Sequence, residues 1–319
     1  MAYDASSTRR RTHRLAAVLV LLLAVAAPPT ARSAAVEATS LHHEPRPHGE
    51  LVLKVLSYNV KGLPWITNLD RLDRIGEILA ERRERGDEPD VVLIQEAFVR
   101  ESRRIRRRAG YPYAVRGPSG DGIFANDSGL EVLSNHPIVA RYARKLNDCA
   151  FPECLVRKGI VGIELELPGA PGPVQVFTTH LQADTRNEEV RRNQIDDVAV
   201  FLRRIPFGAA PAILAGDFNF KPRHGSYHKF LREMPFADVG AECLAARDRC
   251  EVVLDPVLTD ERDVWKSAHD RHFYYQPAEG ALRIEPIRVI RNFTEPFPGG
   301  ELGHLSDHWG YEVHYRIRW

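Results

Sequence analysis

The sequence predicts one mixed α/β domain, built from two β-sheets flanked by helices. Three observations lead to this fold class. Apolar runs of strand length are interleaved with segments of helical periodicity between residues 51 and 219. Further strand-like runs follow each other closely, as they do in hairpins. No repeat of fixed period and no obvious linker interrupt residues 51–319, so we expect a single domain over that range.

The N-terminal 50 residues are expected to lie outside this domain. Four arginines between residues 9 and 14 precede an apolar run, Leu15–Ala27, which prolines and small residues follow. This order is typical of a secretory signal peptide. The run has 13 residues, fewer than the roughly 20 of a transmembrane helix, so we expect no membrane helix in the mature chain. We predict a signal peptide over residues 1–35, a linker over 36–50 and a secreted or periplasmic protein.

The first half of the domain contains two strands and two helices of clear pattern. The first strand is predicted over residues 51–58 and ends at Asn59, and a charged helix with an apolar face follows over residues 69–85. The apolar run Val91–Ile94 predicts a buried strand that ends at Glu96. The arginine-rich segment 98–108 has helical spacing, and its charges indicate a solvated face or contact with a phosphate polymer.

The second half contains more strands, one long helix and a region of weak periodicity. The predicted strands cover residues 130–133, 138–143, 159–167, 173–179, 211–215, 282–290 and 309–317. A helix is predicted over residues 187–204, where apolar residues share one face. Residues 222–280 are rich in turn signals and are expected to form loops around the mouth of the site. Within them, the aromatic segment His272–Tyr275 is expected either to dip into a lipid interface or to pack as a loop.

The four cysteines fall into two local pairs, Cys149 with Cys154 and Cys243 with Cys250. In an exported protein, an even number of cysteines at short spacing favours two small-loop disulfides. A zinc site with cysteine ligands is the alternative, but neither pair has the C-x2-C spacing typical of one. We therefore expect two disulfides.

Polar side chains stand at the ends of five predicted strands. They are Asn59, Glu96, His180, Asp217 with Asn219, and Asp307 with His308. Each alone is typical of a turn, a helix cap or a buried histidine, and Asp217 with Asn219 is typical of an Asx turn. Together they suit metal-assisted attack of water on a phosphodiester. Carboxylates hold a hard divalent cation, a histidine takes the proton of water, and amides stabilise charge on the phosphoryl oxygens.

Residues 51–316 resemble the endonuclease/exonuclease/phosphatase superfamily through short motifs at all five strand ends. The matching fragments are Ser-Tyr-Asn59, Gln-Glu96, Thr-His180, Gly-Asp217-Phe-Asn219 and Ser-Asp307-His308. Members of this superfamily are metal-dependent phosphodiesterases and phosphatases on a four-layer α/β/β/α sandwich. The resemblance therefore implies that fold, together with a Mg2+ cofactor that Mn2+ or Co2+ can replace.

The resemblance also implies a role for each of these residues. The implied metal ligands are Glu96, Asn59 and Asp307. The implied catalytic residues are His308 as general base, Asp217 to orient or activate the water, and His180 and Asn219 to hold the phosphoryl group. The superfamily commonly has an Asp-Tyr pair on the penultimate strand, whose aspartate orients the base. The matching place here contains Glu285, followed by Pro286, so Glu285 is the expected orienting carboxylate.

Secondary motifs are similar to those of the neutral sphingomyelinases, exported bacterial ones included. These motifs are S-G-L at 128–130, L-S-N-H-P at 133–137, K-G-I at 158–160 and T-H-L-Q-A at 179–183, with Arg191 and Gln194. By this resemblance, the enzyme acts at a phospholipid or sphingolipid membrane surface and hydrolyses sphingomyelin, or a related phospholipid, to ceramide and phosphocholine. We expect it to act as a monomer.

Other functions stay open at this point. An extracellular nuclease of the deoxyribonuclease type would bind nucleic acid through the arginines of residues 103–108. The net charge of +1 argues against strong sequence-independent binding of a polyanion, although a local basic groove is compatible with it. A phosphoinositide-type phosphatase is a third candidate, and a binding module with a decayed site is a fourth.

Overall fold

Two β-sheets packed face to face form the centre of the protein, as predicted. The computed structural model describes residues 48–63, 68–119, 127–253 and 269–319, which belong to one compact unit. The expected signal peptide and the linker up to residue 47 lie outside the described residues. No helix within the described ranges is long and apolar enough to cross a membrane.

The elements follow one another in a mixed order of strands and helices. The strands are β1 Glu50–Gly62, β2 Val91–Ala97, β3 Tyr113–Arg116, β4 Glu131–Ser134, β5 Ile138–Lys145, β6 Gly159–Leu165, β7 Val174–His180, β8 Ala212–Asp217, β9 Ala237–Asp238, β10 Glu251–Val253, β11 Asp270–Tyr275, β12 Arg283–Asn292, β13 Pro296–Glu301 and β14 Gly310–Arg318. The α-helices are α1 Leu69–Glu84, α2 Arg103–Ala109, α3 Glu188–Leu202, α4 Gly225–Glu233 and α5 Val239–Ala245. Short 3-10 turns cover Arg100–Ser102, Glu153–Leu155 and Thr185–Asn187.

The first sheet has the order β10-β12-β14-β1-β2-β4-β3, and the second has the order β5-β6-β7-β8-β11-β9. Each sheet contains a parallel pair at its centre, β1 with β2 and β7 with β8. The register places Asn59 beside Gln95 in the first pair and His180 beside Asp217 in the second. Because parallel strands end at the same edge of a sheet, these polar residues emerge together.

Alternation of side chains along the strands produces four layers. Leu53 and Val55 of β1 pack between the sheets against residues of the second sheet, whereas Leu56 and Tyr58 pack against α1 and α2. On the other side, α3 and α4 cover β7 and β8 through an apolar cluster rich in phenylalanine. The α/β/β/α sandwich that the resemblance implied is therefore present.

Two expectations about elements were wrong. The segment 98–108 is not one helix but a 3-10 turn followed by α2. Residues 222–280 are not mainly loops, since their described part contains α4, α5 and the strand β11, which pairs with β8 and β9. These elements are short, and β11 buries three polar residues, Asp270, Arg271 and His272, next to its aromatic residues, so helical or alternating periodicity does not mark them.

The aromatic segment His272–Tyr275 is not a lipid-contacting loop. It forms most of β11, between β8 and β9, and Phe273 is fully buried in the cluster beneath α4. The hydroxyl of Tyr274 donates to Glu242 Oε2 at 2.7 Å. Substitution of these residues would therefore disturb the core rather than a membrane contact.

Both predicted disulfides are confirmed. Cys149 pairs with Cys154 and Cys243 pairs with Cys250, with Cα–Cα distances of 5.2 and 5.0 Å. The first closes a surface loop between β5 and β6, and the second closes the segment that connects α5 to β10.

Candidate active site

Two carboxylates share one amide at the edge where the parallel strands end. The Nδ2 atom of Asn59 donates to Glu96 Oε1 at 2.9 Å and to Asp217 Oδ2 at 3.0 Å. Glu96 has a φ of +57°, a conformation that is uncommon for a residue other than glycine and that turns the chain at the end of β2. Burial raises the pKa of Glu96; the Asn59 hydrogen bond opposes this rise and the charge of Asp217 adds to it.

His180 lies against the same pair of carboxylates. Its Nε2 atom is 3.5 Å from Asp217 Oδ2 and 3.8 Å from Glu96 Oε1. Burial lowers the pKa of His180 to about 3, so the ring is neutral at neutral pH. Its Nδ1 atom is buried and has no hydrogen-bond partner among the described residues. Nε2 faces both carboxylates, so it is the ring nitrogen suited to contact a further polar group in the site.

Asp217 and Asn219 form the Asx turn that their spacing indicated. The backbone amide of Asn219 donates to Asp217 Oδ1 at 3.0 Å, and Asn219 has a φ of +52°. The side chain of Asn219 donates to the carbonyl of Leu181 at 3.0 Å. Gly216 is needed just before this turn, since a Cβ there would lie 2.1 Å from the carbonyl oxygen of Thr179 on β7.

The carboxylate that orients His308 is Asp270, not Glu285. The Nδ1–H of His308 donates to Asp270 Oδ2 at 2.9 Å, and its Nε2 atom is 3.7 Å from Asp217 Oδ2. Asp270 begins β11 and pairs in register with Asp217. Glu285 instead accepts hydrogen bonds from Arg316 and Arg318. It lies on β12 of the first sheet, whereas β11 belongs to the second.

The charge of His308 is set by these carboxylates. Burial alone lowers the pKa of His308, but Asp270 and then Asp217 more than offset it and raise the pKa to about 10. For Asp270, burial raises the pKa, but the positive charge of His308 outweighs burial, so the pKa of Asp270 is lowered. An imidazolium–carboxylate pair is therefore the stable form of these two side chains.

Asp307 is held near the site by a lysine that sequence analysis did not single out. Its Oδ2 atom is 2.9 Å from the Nζ of Lys61. The neighbouring Ser306 hydroxyl donates to the carbonyl of Asn59 at 2.7 Å. Buried Arg71 donates to the carbonyls of Val60, Lys61 and Leu305, and so joins the two segments. A direct metal contact by Asp307 stays a prediction.

A second lysine, Lys158, lies beside the segment that follows His180. Its buried Nζ donates to the carbonyl of Leu181 at 2.7 Å and is 3.1 Å from Glu153 Oε2. Burial lowers the pKa of Lys158, which Glu153 and Asp217 oppose. Lys158 belongs to the K-G-I motif of the sequence, but its contact with the Leu181 carbonyl is seen only in the structure.

The donor set fits a hard divalent cation. Among the described residues, Glu96, His180 and Asp217 offer ligand atoms within 4.8 Å of one another, and Asp217, Asp270 and His308 do the same. Glu96 and Asp217 share one amide in a buried site, and the raised pKa of Glu96 is due first to burial and then to the negative charge of Asp217. A divalent cation would offset this negative charge, and oxygen ligands are those that Mg2+ prefers.

A sequence model of the endonuclease/exonuclease/phosphatase family matches residues 56–308. The chain belongs to this family. All the strand-end motifs lie within the matched residues. The match also covers Asp270, which the short motifs had left out.

Comparisons with known proteins agree with this membership. A Drosophila melanogaster protein described as a candidate neutral sphingomyelinase is 29% identical over 195 residues, which are 57% of this chain and 42% of that protein. The chain thus matches less than half the length of this curated relative.

Solved structures share the fold at low identity. Sphingomyelinase C from Streptomyces griseocarneus has a TM-score of 0.57 at 21% identity, over 83% of this chain and 99% of that one. A Staphylococcus aureus beta toxin variant with bound magnesium ions has a TM-score of 0.61 at 20% identity, over 83% and 99%. D. rerio TDP2 with a single-strand DNA product has a TM-score of 0.59 at 20% identity, over 83% and 98%.

Proposed function

We propose that this protein is an exported Mg2+-dependent phosphodiesterase that hydrolyses sphingomyelin, or a related phospholipid, to ceramide and phosphocholine. The observation that carries the proposal is the Asp270–His308 pair beside Asp217, Glu96 and Asn59. This arrangement places an oriented proton acceptor next to a cluster of oxygen ligands. The signal peptide predicted over residues 1–35 and the two disulfides support export.

In this proposal, His308 takes the proton of the attacking water through Nε2. Asp270 holds the Nδ1–H, fixes the ring orientation and stabilises the imidazolium that forms. The carboxylates that raise the pKa of His308 also keep it protonated, so their charge has to be compensated before His308 can act as a base at neutral pH. Asp217 accepts a hydrogen bond from the water and aims it at phosphorus.

Glu96 would hold the cation, with Asn59 and Asp307 near it. A bound Mg2+ supplies positive charge that polarises a phosphoryl oxygen and offsets the neighbouring carboxylates, a contribution of several kcal/mol. His180 and Asn219 would bind the phosphoryl oxygens, His180 as a neutral donor. Lys158 keeps the Leu181 carbonyl in place, and this carbonyl also accepts a hydrogen bond from Asn219.

The lipid substrate is favoured over nucleic acid by two observations. The sequence motifs are similar to those of sphingomyelinases, and both a curated relative and a solved structure similar to this chain are named as sphingomyelinases. The arginine helix α2 is partly neutralised, because Arg104 and Arg108 both pair with Asp73, at 2.9 and 3.2 Å. The TDP2 complex with DNA makes a nuclease the second candidate, and the test below separates the two.

The test uses residues 36–319 and two substrates. Phosphocholine release from sphingomyelin liposomes is measured with Mg2+ and with EDTA, and plasmid nicking is measured under the same conditions. We expect Mg2+-dependent phosphocholine release without nicking, and loss of release in His308→Ala. Nicking alone would replace the lipid proposal with an exported nuclease. Activity on neither substrate would refute both assignments.

A further inference from the structure

A disulfide-closed loop presents apolar side chains beside the candidate active site. The segment Cys149–Leu155, here called the cystine loop, consists of the loop closed by the Cys149–Cys154 bond and the next residue, Leu155. It exposes 79% of Phe151 and 60% of Leu155. Exposed apolar side chains that are grouped in one segment, in contrast to ones scattered singly, point to an interaction site.

The loop emerges at the same edge of the second sheet as the site. It precedes β6, whose first residues pair with the end of β7, Ile160 with Thr179. The Ala150 amide donates to Gln182 Oε1 at 2.9 Å, and the Ala183 amide donates to Glu153 Oε2 at 2.9 Å. The cystine loop is thus bonded to the segment that directly follows His180.

The loop is also anchored at its base. Gln194 of α3 donates to the carbonyl of Asp148 at 2.8 Å, and Asn193 donates to its carboxylate at 2.7 Å. With the disulfide, these bonds hold the loop in one conformation before any partner binds. Little conformational entropy is then lost on binding, which favours a preformed contact element.

The surroundings of the loop fit a phospholipid surface. Arg157 next to it is exposed, and Lys145 at the end of β5 is half-buried. Of the acids in and directly before the loop, Glu153 lies 3.1 Å from Lys158 and Asp148 accepts a hydrogen bond from Asn193. Apolar side chains flanked by cations match the boundary between acyl chains and phosphate headgroups.

We propose that the cystine loop inserts Phe151 and Leu155 into the apolar boundary of a phospholipid bilayer and so brings the headgroup phosphodiester to the site. The inference rests on the proposed phospholipid substrate. It replaces the aromatic segment of β11, which forms a strand inside the second sheet, as the lipid contact of this protein.

The first test compares vesicle binding with catalysis in solution. The double variant F151S/L155S is set against Val139→Ser, which changes a 55%-exposed side chain near the opposite end of β5. Cosedimentation with sphingomyelin–phosphatidylcholine vesicles is measured in EDTA, so that no hydrolysis occurs. We expect a loss of affinity of roughly 10- to 100-fold for the double variant and none for Val139→Ser. Hydrolysis of bis(p-nitrophenyl) phosphate with Mg2+ should stay within about twofold of wild type. Equal vesicle binding by wild type and double variant would overturn the proposal.

A second measurement does not depend on loss of function. Phe151→Trp adds a fifth tryptophan to the four of wild type. Brominated phospholipids should quench the fluorescence of this added tryptophan. Absence of that quenching would overturn the docking proposal. Quenching in a protein that releases no phosphocholine would refute the proposed substrate while supporting docking, so the two failures are distinguishable.

Discussion

Asp270→Asn tests the central contact of the site with little change of volume. The Nδ1–H of His308 would face an amide instead of a carboxylate at 2.9 Å. The rise of the pKa of His308 from 6.5 to about 10 corresponds to about 5 kcal/mol in favour of the imidazolium. Asp270 is the first of the groups that raise it. Losing this carboxylate should therefore lower the pKa of His308 and destabilise the imidazolium formed in the reaction. We expect kcat to fall by about 100- to 10,000-fold, or about 3–5 kcal/mol.

Glu285→Gln is the matched control. Glu285 bonds to Arg316 and Arg318 at distances of 3.0 and 2.5 Å, on a strand of the other sheet. This variant should keep kcat within about threefold of wild type. Steady-state kinetics on one phosphodiester, with NMR titration of the His308 ring, measure both effects. Wild-type kcat in Asp270→Asn together with a large loss in Glu285→Gln would refute the assignment of Asp270.

Three further predictions concern the metal, the lysine and acid stability. Glu96→Gln should raise the Mg2+ concentration for half-maximal rate by about tenfold or more, because a charged ligand is lost; an unchanged metal requirement, measured by titration, would place the metal elsewhere. Lys158→Met should lower kcat/KM by roughly tenfold, because the Leu181 carbonyl keeps only Asn219 of its two donors; unaltered kinetics would make Lys158 purely structural. Burial raises the pKa of Glu312, but hydrogen bonds from His314 and Arg82 offset it and lower the pKa to about 2. This contribution, about 3 kcal/mol, should be present above pH 4.5, the ordinary pKa, and disappear as the pH falls toward 2. Urea unfolding should therefore show Glu312→Gln less stable than wild type at pH 6 and nearly equal at pH 2; a constant difference would contradict this.

Local patterns were sufficient for most of the fold. The helix α1 begins after Asn68, whose side chain accepts from the Asp70 amide, and its apolar spacing is visible in the sequence. The strand β2 is apolar on both faces because it is covered on both, so four apolar residues in a row predict it. The short elements within residues 222–253 and the strand β11 have no such pattern, and their positions depend on packing against β8 and β12.

The candidate site divides in the same way. Asn59, Glu96, His180 and Asp217 stand at strand ends that the sequence marks, and parallel pairing brings these ends to one edge of each sheet. Asp270 also stands at a strand end, but β11 lacks the apolar run that marks the other strands. The acidic Asp270 shortly before an aromatic run was the one signal in the sequence that could have identified this residue.

The sequence alone predicted the strand-end residues and the disulfide pairs, and its short motifs carried the resemblance that implied the family and the four-layer architecture. These depend on residue type and on spacing along the chain, which local periodicity and short motifs record. Only the tertiary structure decided that Asp270, and not Glu285, holds His308, and that Phe151 rather than Phe273 is exposed. The reason is that both choices depend on which sheet a strand joins and which face it buries. Sheet membership and the buried face are set by contacts between residues far apart in the chain, and local spacing carries no information about such contacts.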